Sequence, residues 1–516
     1  MYSKVKTFIP NGLAAISTVV EVSILNGLPS FNISGLSTSQ SLQMESRLRA
    51  ALTLTGLRWP KGRIIAAIAP AWLAKKSTIF DLPIAIALLL ASGQIPPFAE
   101  SLSIIGELGL DGSIKAVPGI YSCLALAAKE KEEILILPEA CKEEASYLDG
   151  LAYVAVKNLN HVLDFYRGRK VKLRKGKYKA LEEHSEIDEK TEQAFISFKG
   201  QRSALRALKI SLSGWHPLAL LGSPGCGKTM LCSLAQYLLP PLNADEWYEL
   251  KNIYSVAEHD EKRVLAYRQR PYIAPHYTVT PAALCGGGRA IKPGLFSLAH
   301  RGILFLDEFS EYQPLKLNLL RETMSEQAIL LARAEQSLKL PAKFLLLAAA
   351  NPCPCGYIYE KDEQCKCTDH AVRKYLGKVS GAIWDRFHLV DLLERESPLE
   401  ILEAEQPPQS IYEFREEICQ VWELAARRVG QESLVPENLN ALNEKFTFDE
   451  AYGFTSELLS MARKYAHEKQ LNFRSYKQLL RVARTIADLE QSVQVDHSHI
   501  VEAGYYQSKP LEKLGV

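Results

Sequence analysis

The sequence predicts an α/β protein built on a phosphate-loop core, and three stretches carry that prediction. Residues Gly222-Ser223-Pro224-Gly225-Cys226-Gly227-Lys228-Thr229 spell a complete G-x-x-x-x-G-K-T loop, with the apolar run Leu218–Leu221 before it and a helix-like stretch, Met230–Leu239, after it. Gly302–Leu306 is a second apolar run and ends in two carboxylates, Asp307 and Glu308. Phe344–Ala350 is a third and ends at Asn351-Pro352. Short apolar runs bounded by turn residues read as buried strands, and a glycine-rich loop between strand and helix is the setting in which this motif holds phosphate.

Each element has a chemical reason. Glycines let the backbone fold tightly, so that its N–H groups and the helix N-terminus converge on phosphate oxygens. Lys228 is suited to neutralise the β- and γ-phosphates of ATP, and the Thr229 hydroxyl to complete a Mg2+ shell. Asp307 would hold the same ion through its water shell, while Glu308 would polarise the attacking water. Asn351 can orient that water from the far side of the γ-phosphate; its plainer reading is a turn cap before proline. Arg386, in Trp384-Asp385-Arg386-Phe387, and Arg474, in Phe473-Arg474-Ser475-Tyr476, each offer a guanidinium for the charge of a transferring phosphoryl group.

Composition bounds the rest. A chain of 516 residues is too long for one core and predicts three or four domains. Its 47% hydrophobic and 23% charged content are those of an ordinary soluble protein. With a net charge of only +2, nucleic-acid affinity has to come from local basic patches. The N-terminus does not read as a secretory signal, and the longest apolar stretch, Leu82–Ala91, is too short to span a bilayer. The expected location is the cytoplasm, with no membrane partner.

Ten cysteines in such a protein point to thiols or metal before disulfides. Cys353, Cys355, Cys365 and Cys367 form a C-x-C-x9-C-x-C pattern, two close pairs able to wrap one Zn2+. The alternative is a pair of free-thiol turns held by Pro352, Pro354 and Gly356. Cys226 fills a variable position of the phosphate loop. Cys123, Cys141, Cys232, Cys285 and Cys419 are expected to be small buried hydrophobes.

Along the chain, residues 1–165 alternate strand-like and helical segments. Val19–Ile24 and Ile64–Ala69 read as strands, Gln40–Leu54 as a helix, and Ile104–Leu110 as part of a hairpin around Asp111-Gly112. Residues 166–198 form a charged linker: eight of the thirteen residues from Arg167 to Lys179 are Lys or Arg, and Glu182–Glu189 then turns acidic. Residues 199–392 are the nucleotide-binding core and 393–516 a helical tail, with Tyr476–Leu489 strongly helical.

With these motifs assembled, the chain resembles the YifB/ComM family of Mg-chelatase-like AAA+ ATPases over almost its whole length. The matching stretches include Gly27-Leu28-Pro29-Ser30-Phe31, Phe80-Asp81-Leu82-Pro83-Ile84-Ala85, Arg270-Pro271, Ala274-Pro275-His276, Gly286-Gly287-Gly288, Asn351-Pro352-Cys353-Pro354-Cys355-Gly356 and the helix Leu480–Leu489. The resemblance implies an AAA+ core with a helical lid. It implies Asn351 as sensor 1, Arg386 as an arginine finger offered to a neighbouring subunit, and Arg474 as the sensor-2 arginine. A finger acting in trans implies a ring, by analogy a hexamer. The implied activity is that of a DNA helicase promoting branch migration in natural transformation. The runner-up is a remodelling or chelatase-like ATPase with no DNA substrate. In related modules extra hairpins interrupt the core; Tyr248–Arg289 is long enough for one, and His276, Arg289 and Lys292 are its DNA-facing candidates. Where family members carry a basic residue after Arg-Pro-aromatic and a second His, this chain has Ile273 and Tyr277.

The first domain resembles the Lon protease domain fold, whose chemistry needs a Ser–Lys dyad. Ile79 stands where the nucleophile would fall, and the helix after Pro118-Gly119 carries Tyr121, Ser122 and Cys123 with no lysine before Lys129. Peptidase activity is therefore not expected.

Overall fold

The computed structural model describes residues 1–70, 78–98, 102–131, 134–169, 171–177, 189–196, 201–257, 268–288, 292–332, 337–358, 360, 365–393, 395, 410–429 and 452–507. The chain divides into two units, Met1–Ala180 with Lys251–Asp260, and Leu181–Leu250 with Glu261–Val516.

In the first unit, strands β1 (Tyr2–Asn11) and β2 (Ala14–Leu25) pair antiparallel over their full length. Alternation along β2 turns Val20, Val22 and Ile24 inward. Strands β3 (Ser30–Ile33) and β4 (Arg63–Ala69) follow, with the helix Thr38–Leu54 between them. That helix starts at a capping box: Gln40 N–H donates to Ser37 Oγ, and Ser37 N–H donates to Gln40 Oε1. The apolar run Leu82–Ala91 lies in a helix, Asp81–Ala91, buried on nearly every side, which explains its composition without a membrane. Among the described residues no helix is long and apolar enough to cross a membrane.

Six short strands complete the unit: β5 (Leu102–Ile104), β6 (Glu107–Leu108), β7 (Ile114–Lys115), β8 (Ile134–Pro138), β9 (Ala152–Val156) and β10 (Leu173–Lys175). Eight of the ten form one sheet in the order β10-β9-β8-β5-β1-β2-β4-β3. The hairpin expected from Ile104 is smaller than predicted. Ile104 ends β5, and only β6 and β7 pair across the turn, where Asp111 Oδ1 accepts from the N–H and hydroxyl of Ser113. Part of the basic run read as a linker is β10, paired antiparallel with β9 at the sheet edge, where Lys and Arg discourage further strand addition.

Ile79, Tyr121 and Cys123 are buried, and Ser122 donates its hydroxyl to Gly119 O at 2.8 Å. Lys75, Lys76 and Ser77 lie outside the described residues. A lysine does approach Tyr121, from far along the chain: Lys251 Nζ sits 5.3 Å from the Tyr121 ring centroid and 5.0 Å from that of Tyr147. Burial lowers its pKa, and Glu144 and Glu143 oppose the shift.

The second unit is organised by a parallel sheet of β11 (Leu218–Gly222), β12 (Tyr272–Ile273), β15 (Ile303–Leu306), β18 (Leu345–Ala350) and β19 (Leu389–Leu393). The strand order is β12-β15-β18-β11-β19 and every neighbouring pair is parallel. Helices cover the sheet, so β11, β15 and β18 are buried on both faces and are apolar throughout. The helices Arg202–Gly214, Lys228–Leu238, Ile411–Val429 and Phe473–Leu489 share one core with these strands. Phe195, from the stretch read as linker, is fully buried in that core against Phe414.

Among the described residues two hairpins interrupt the unit. One is β13 (Gly286–Gly287) with β14 (Lys292–Pro293); the other is β16 (Ala328–Ala332) with β17 (Ser337–Pro341). The first ends the segment where an insert was expected. The second was missed, although two apolar runs flanking a charged stretch were there to be read.

Candidate nucleotide site

The phosphate loop closes β11 and opens the helix Lys228–Leu238. Gly227 caps that helix in a left-handed conformation, φ +90°, which a side chain would resist. Glycine also brings no side-chain acceptor, so the first helical N–H groups remain available to an anion.

Lys228 is folded over the loop. Its Nζ donates to Gly222 O at 2.6 Å and to Ser223 O at 2.8 Å, and lies 3.7 Å from Cys226 Sγ. The ammonium is largely buried at the centre of the loop, where a phosphate oxygen would compete for the same donors. Thr229 Oγ1 donates to Asp307 Oδ2 at 2.9 Å. The sequence separates these two residues widely; β11 and β15, parallel and with one strand between them, carry both to the same end of the sheet, where their oxygens meet as a fitting pair of hard ligands for Mg2+. Asp307 Oδ1 also accepts from Glu308 N–H at 2.9 Å. This bond belongs to a strained turn, with Glu308 at φ +49°. Its carboxylate is exposed beside the loop rather than packed into the core.

Asn351 follows β18, which lies between β11 and β15, so the polar residue emerges between phosphate loop and acidic pair. The cysteine turn then folds onto the loop. Gly356, at φ +89°, approaches so closely that a Cβ there would stand 2.7 Å from Pro224 Cδ and 3.9 Å from Asn351 Cγ. Cys353, Cys355, Cys365 and Cys367 converge, with all four Sγ atoms within 4.8 Å of one another. Cys123, Cys141 and Cys232 are buried as expected, but Cys285 and Cys419 are only half-buried.

Arg386 and Arg474 are brought together, away from this site. Both line a cavity of about 570 Å³ with Lys343, His388, Lys477 and Arg481, and no carboxylate is among its described lining residues. Pro217, Phe344 and His388, also in the lining, each precede a sheet strand, whereas the phosphate loop and Asn351 follow theirs. A five-residue strand rises roughly 17 Å, so the two places lie at opposite edges of the sheet. Arg386 Nη2 donates to Ser325 Oγ at 2.6 Å. Asn472 and Gln478 bond Asp385, tying the helix Phe473–Leu489 to the Arg386 turn. Burial, then the neighbouring Arg474 and Arg321, lower the Arg386 pKa, the signature of a crowded cationic site that favours an anion. Lys343, Lys477 and Arg481 were not anticipated as members of one site; they are scattered in sequence and only folding gathers them.

Of the three residues predicted to face DNA, His276 is exposed and hydrogen-bonds Thr278, Lys292 is exposed on the β13–β14 hairpin, and Arg289 lies outside the described residues. The His276 loop is pinned from one side: Tyr312 donates to Pro275 O and Lys316 to Tyr277 O.

A parallel α/β sheet with a phosphate loop, an acidic pair one strand removed and a polar residue on the strand between defines a P-loop nucleotide-binding protein of AAA+ type. Comparison with known sequences agrees. Residues 194–400 match the profile of magnesium chelatase, subunit ChlI, residues 20–141 that of subunit ChlI of Mg-chelatase, and residues 409–507 that of the magnesium chelatase subunit ChlI C-terminal region. The competence protein ComM of Haemophilus influenzae is 32% identical over 98% of this chain and 97% of its own length. The uncharacterised protein YifB of Escherichia coli is 32% identical over 96% of this chain and 95% of its own. Lon protease 2 of Bacillus subtilis is 25% identical over 34% of this chain and 36% of its own length, a partial similarity. The chain belongs to the YifB/ComM family of Mg-chelatase-like AAA+ proteins.

Proposed function

We propose that this protein is an ATP-hydrolysing, ring-forming DNA translocase of the cytoplasm that drives branch migration of recombining DNA. The observation that carries the hydrolytic part is the meeting of Lys228, Thr229, Asp307 and Glu308 at one end of the sheet. Lys228 and the helix N-terminus hold the phosphates, and Thr229 and Asp307 hold the Mg2+ that supplies charge neutralisation there. Glu308 draws the proton from the attacking water and Asn351 aligns it. Zn2+ on Cys353, Cys355, Cys365 and Cys367 completes the cofactor set.

The ring is supported by the cavity at the far edge. Arg386 and Arg474 lie a strand's length from their own phosphate loop, too far to touch its γ-phosphate, and act on the nucleotide of a neighbouring subunit. Both the finger and the sensor-2 arginine work in trans in this reading, and a hexamer is the assembly that closes it. Residues 199–392 form the motor core, 393–516 the lid and tail, and 1–165 a collar without peptidase chemistry.

DNA as substrate rests on the near-complete match to a protein named for competence, on the exposed His276 and Lys292, and on the basic β10 edge. The test is ATPase rate with single-stranded, duplex and four-way-junction DNA, with Glu308→Gln as control. Stimulation by junction or single-stranded DNA, absent in the variant, is the expected outcome. Turnover indifferent to every DNA overturns the translocase and favours a protein-remodelling ATPase.

A further inference from the structure

The cysteine turn is built against the phosphate loop, and that placement gives the thiols a role beyond holding their own segment. Three sulfur–sulfur contacts are 3.4 Å (Cys353–Cys355), 3.8 Å (Cys353–Cys365) and 3.3 Å (Cys355–Cys365). These are far longer than the ~2.05 Å of a disulfide. They lie near the edge of about 3.8 Å that four sulfurs make around a tetrahedral ion with Zn–S of about 2.3 Å. Backbone N–H groups of Gly356 and Cys367 donate to Cys353 Sγ and Cys365 Sγ at 3.2 and 3.4 Å, a stabilising arrangement for thiolates. Among the described residues from Asn351 to Leu376 the apolar support is small. The core there is three buried residues, Cys353, Val372 and Leu376, with Ile358 and Tyr375 packed at the side. An all-sulfur tetrahedral donor set suits Zn2+.

One glycine joins this cluster to the nucleotide site. Gly356 N–H bonds both Cys353 O at 3.0 Å and Cys353 Sγ, and the Gly356 backbone rests directly on Pro224 of the phosphate loop. Asn351 is the nearest polar neighbour of the same point, two residues ahead of the first ligand. The turn therefore touches the loop that grips phosphate and begins at the residue that aligns water. Cys355, Cys365 and Cys367 are half-exposed, so a chelator or oxidant can reach what Pro224 leans on.

We propose that the four thiolates hold one Zn2+ that acts as a strut for the phosphate loop, so that metal loss or thiol oxidation releases Gly356 from Pro224 and switches off nucleotide handling. The inference rests on the zinc and nucleotide readings above. Misplacement by about 1 Å of groups that position a reacting phosphate costs on the order of 10²-fold in rate, which is the size of effect expected.

The experiment uses the full chain. Elemental analysis of the purified protein should give about one zinc and no iron per chain. Stripping with a strong chelator, Mg2+ kept in excess, should expose four titratable thiols. Binding of a fluorescent ATP analogue should weaken at least about tenfold and turnover fall about a hundredfold, both restored by Zn2+ alone. Because cysteine variants risk misfolding, Gly356→Ala is the second probe. Its Cβ has no room against Pro224, and it should weaken nucleotide binding with the zinc retained. Iron, or no metal, overturns the site. Zinc present with nucleotide binding equal before and after stripping overturns the strut alone. Zinc present with no ATP binding under any condition sinks the nucleotide reading, and the strut with it.

Discussion

Lys228 and Glu308 show how much a single backbone setting decides. Lys228 is satisfied by two loop carbonyls, so its removal frees those acceptors as well as losing the phosphate donor. Lys228→Ala is expected to abolish ATP binding in a direct binding assay. Glu308 is a different case. Its φ of +49° costs roughly 1 kcal/mol or more for a residue with a Cβ, a strain that fits the role proposed for its carboxylate beside the phosphates. Glu308→Gly should raise unfolding stability by up to about 1 kcal/mol while lowering turnover by about 10²–10⁴-fold, the usual worth of a general base. Chemical denaturation and phosphate release measure the two effects separately; a variant that is both less stable and fully active contradicts the assignment.

At the scale of elements, the sheet holds its shape through contacts that no motif announces. Arg270 was read only as half of a family-like Arg-Pro pair. In the structure its guanidinium is almost fully buried, paired with Glu246 at 2.7 and 3.1 Å, bonded to Pro240 O and Arg301 O, and close to the rings of Trp215 and Trp422, which meet each other edge to face. These bonds join the start of β12 to the helix Ala244–Ala257 and the turn before β15. Arg270→Ala leaves Glu246 buried without its partner and is expected to destabilise the protein by about 3–5 kcal/mol in equilibrium unfolding. Removing both charges together, with Glu246→Gln added, should recover part of that loss. The helix Thr38–Leu54 and the strands β4, β11, β15 and β18 lay within a residue or two of their predicted places. Their periodicity and flanking turns are local. The edge strand β10 escaped notice because charged residues dominate it, and pairing rather than composition makes it a strand; the β16–β17 runs are apolar but only five residues each, and their pairing is what identifies them as a hairpin.

For the whole molecule, two predictions concern how distant pieces act together. His216 and His388 share a hydrogen bond between their Nδ1 atoms at 2.9 Å, one ring donating to the other, and His216 also bonds Thr485 on the helix Phe473–Leu489. Burial, then Arg481, pushes the His388 pKa down to about 3; burial, then His388 and Arg481, pushes His216 well below its ordinary value. Both rings are neutral when folded, whereas in the unfolded chain they take up protons below about pH 6.5. The unfolded state then binds more protons, so stability falls as pH drops from about 6.5 towards 3. Denaturation midpoints across that window should decline in the parent chain and decline less in His388→Gln.

The second prediction concerns assembly. If Arg386 and Arg474 serve a neighbour, mixing Lys228→Ala subunits with Arg386→Ala subunits should restore part of the ATPase that each lacks alone. Hybrid interfaces then contain one intact site. An arginine finger is worth about 10³–10⁵-fold in turnover, so even a minority of such interfaces is measurable. No recovery on mixing would mean that the arginines act within one chain.

By itself the sequence determined the phosphate loop, the acidic pair, the polar residue after the third strand and the four-cysteine pattern. Each is a short run whose chemistry depends on neighbours a few residues away. It also marked Leu218–Leu221, Gly302–Leu306 and Phe344–Ala350 as buried strands, because burial on both faces demands apolar side chains throughout. Tertiary structure alone decided that Thr229 meets Asp307, that Arg386 and Arg474 share a cavity at the far edge with Lys343, Lys477 and Arg481, and that Gly356 lies on Pro224. Those juxtapositions depend on strand order and on helix packing over long sequence separations. Composition and periodicity say which face of an element is buried, but not which partner covers it.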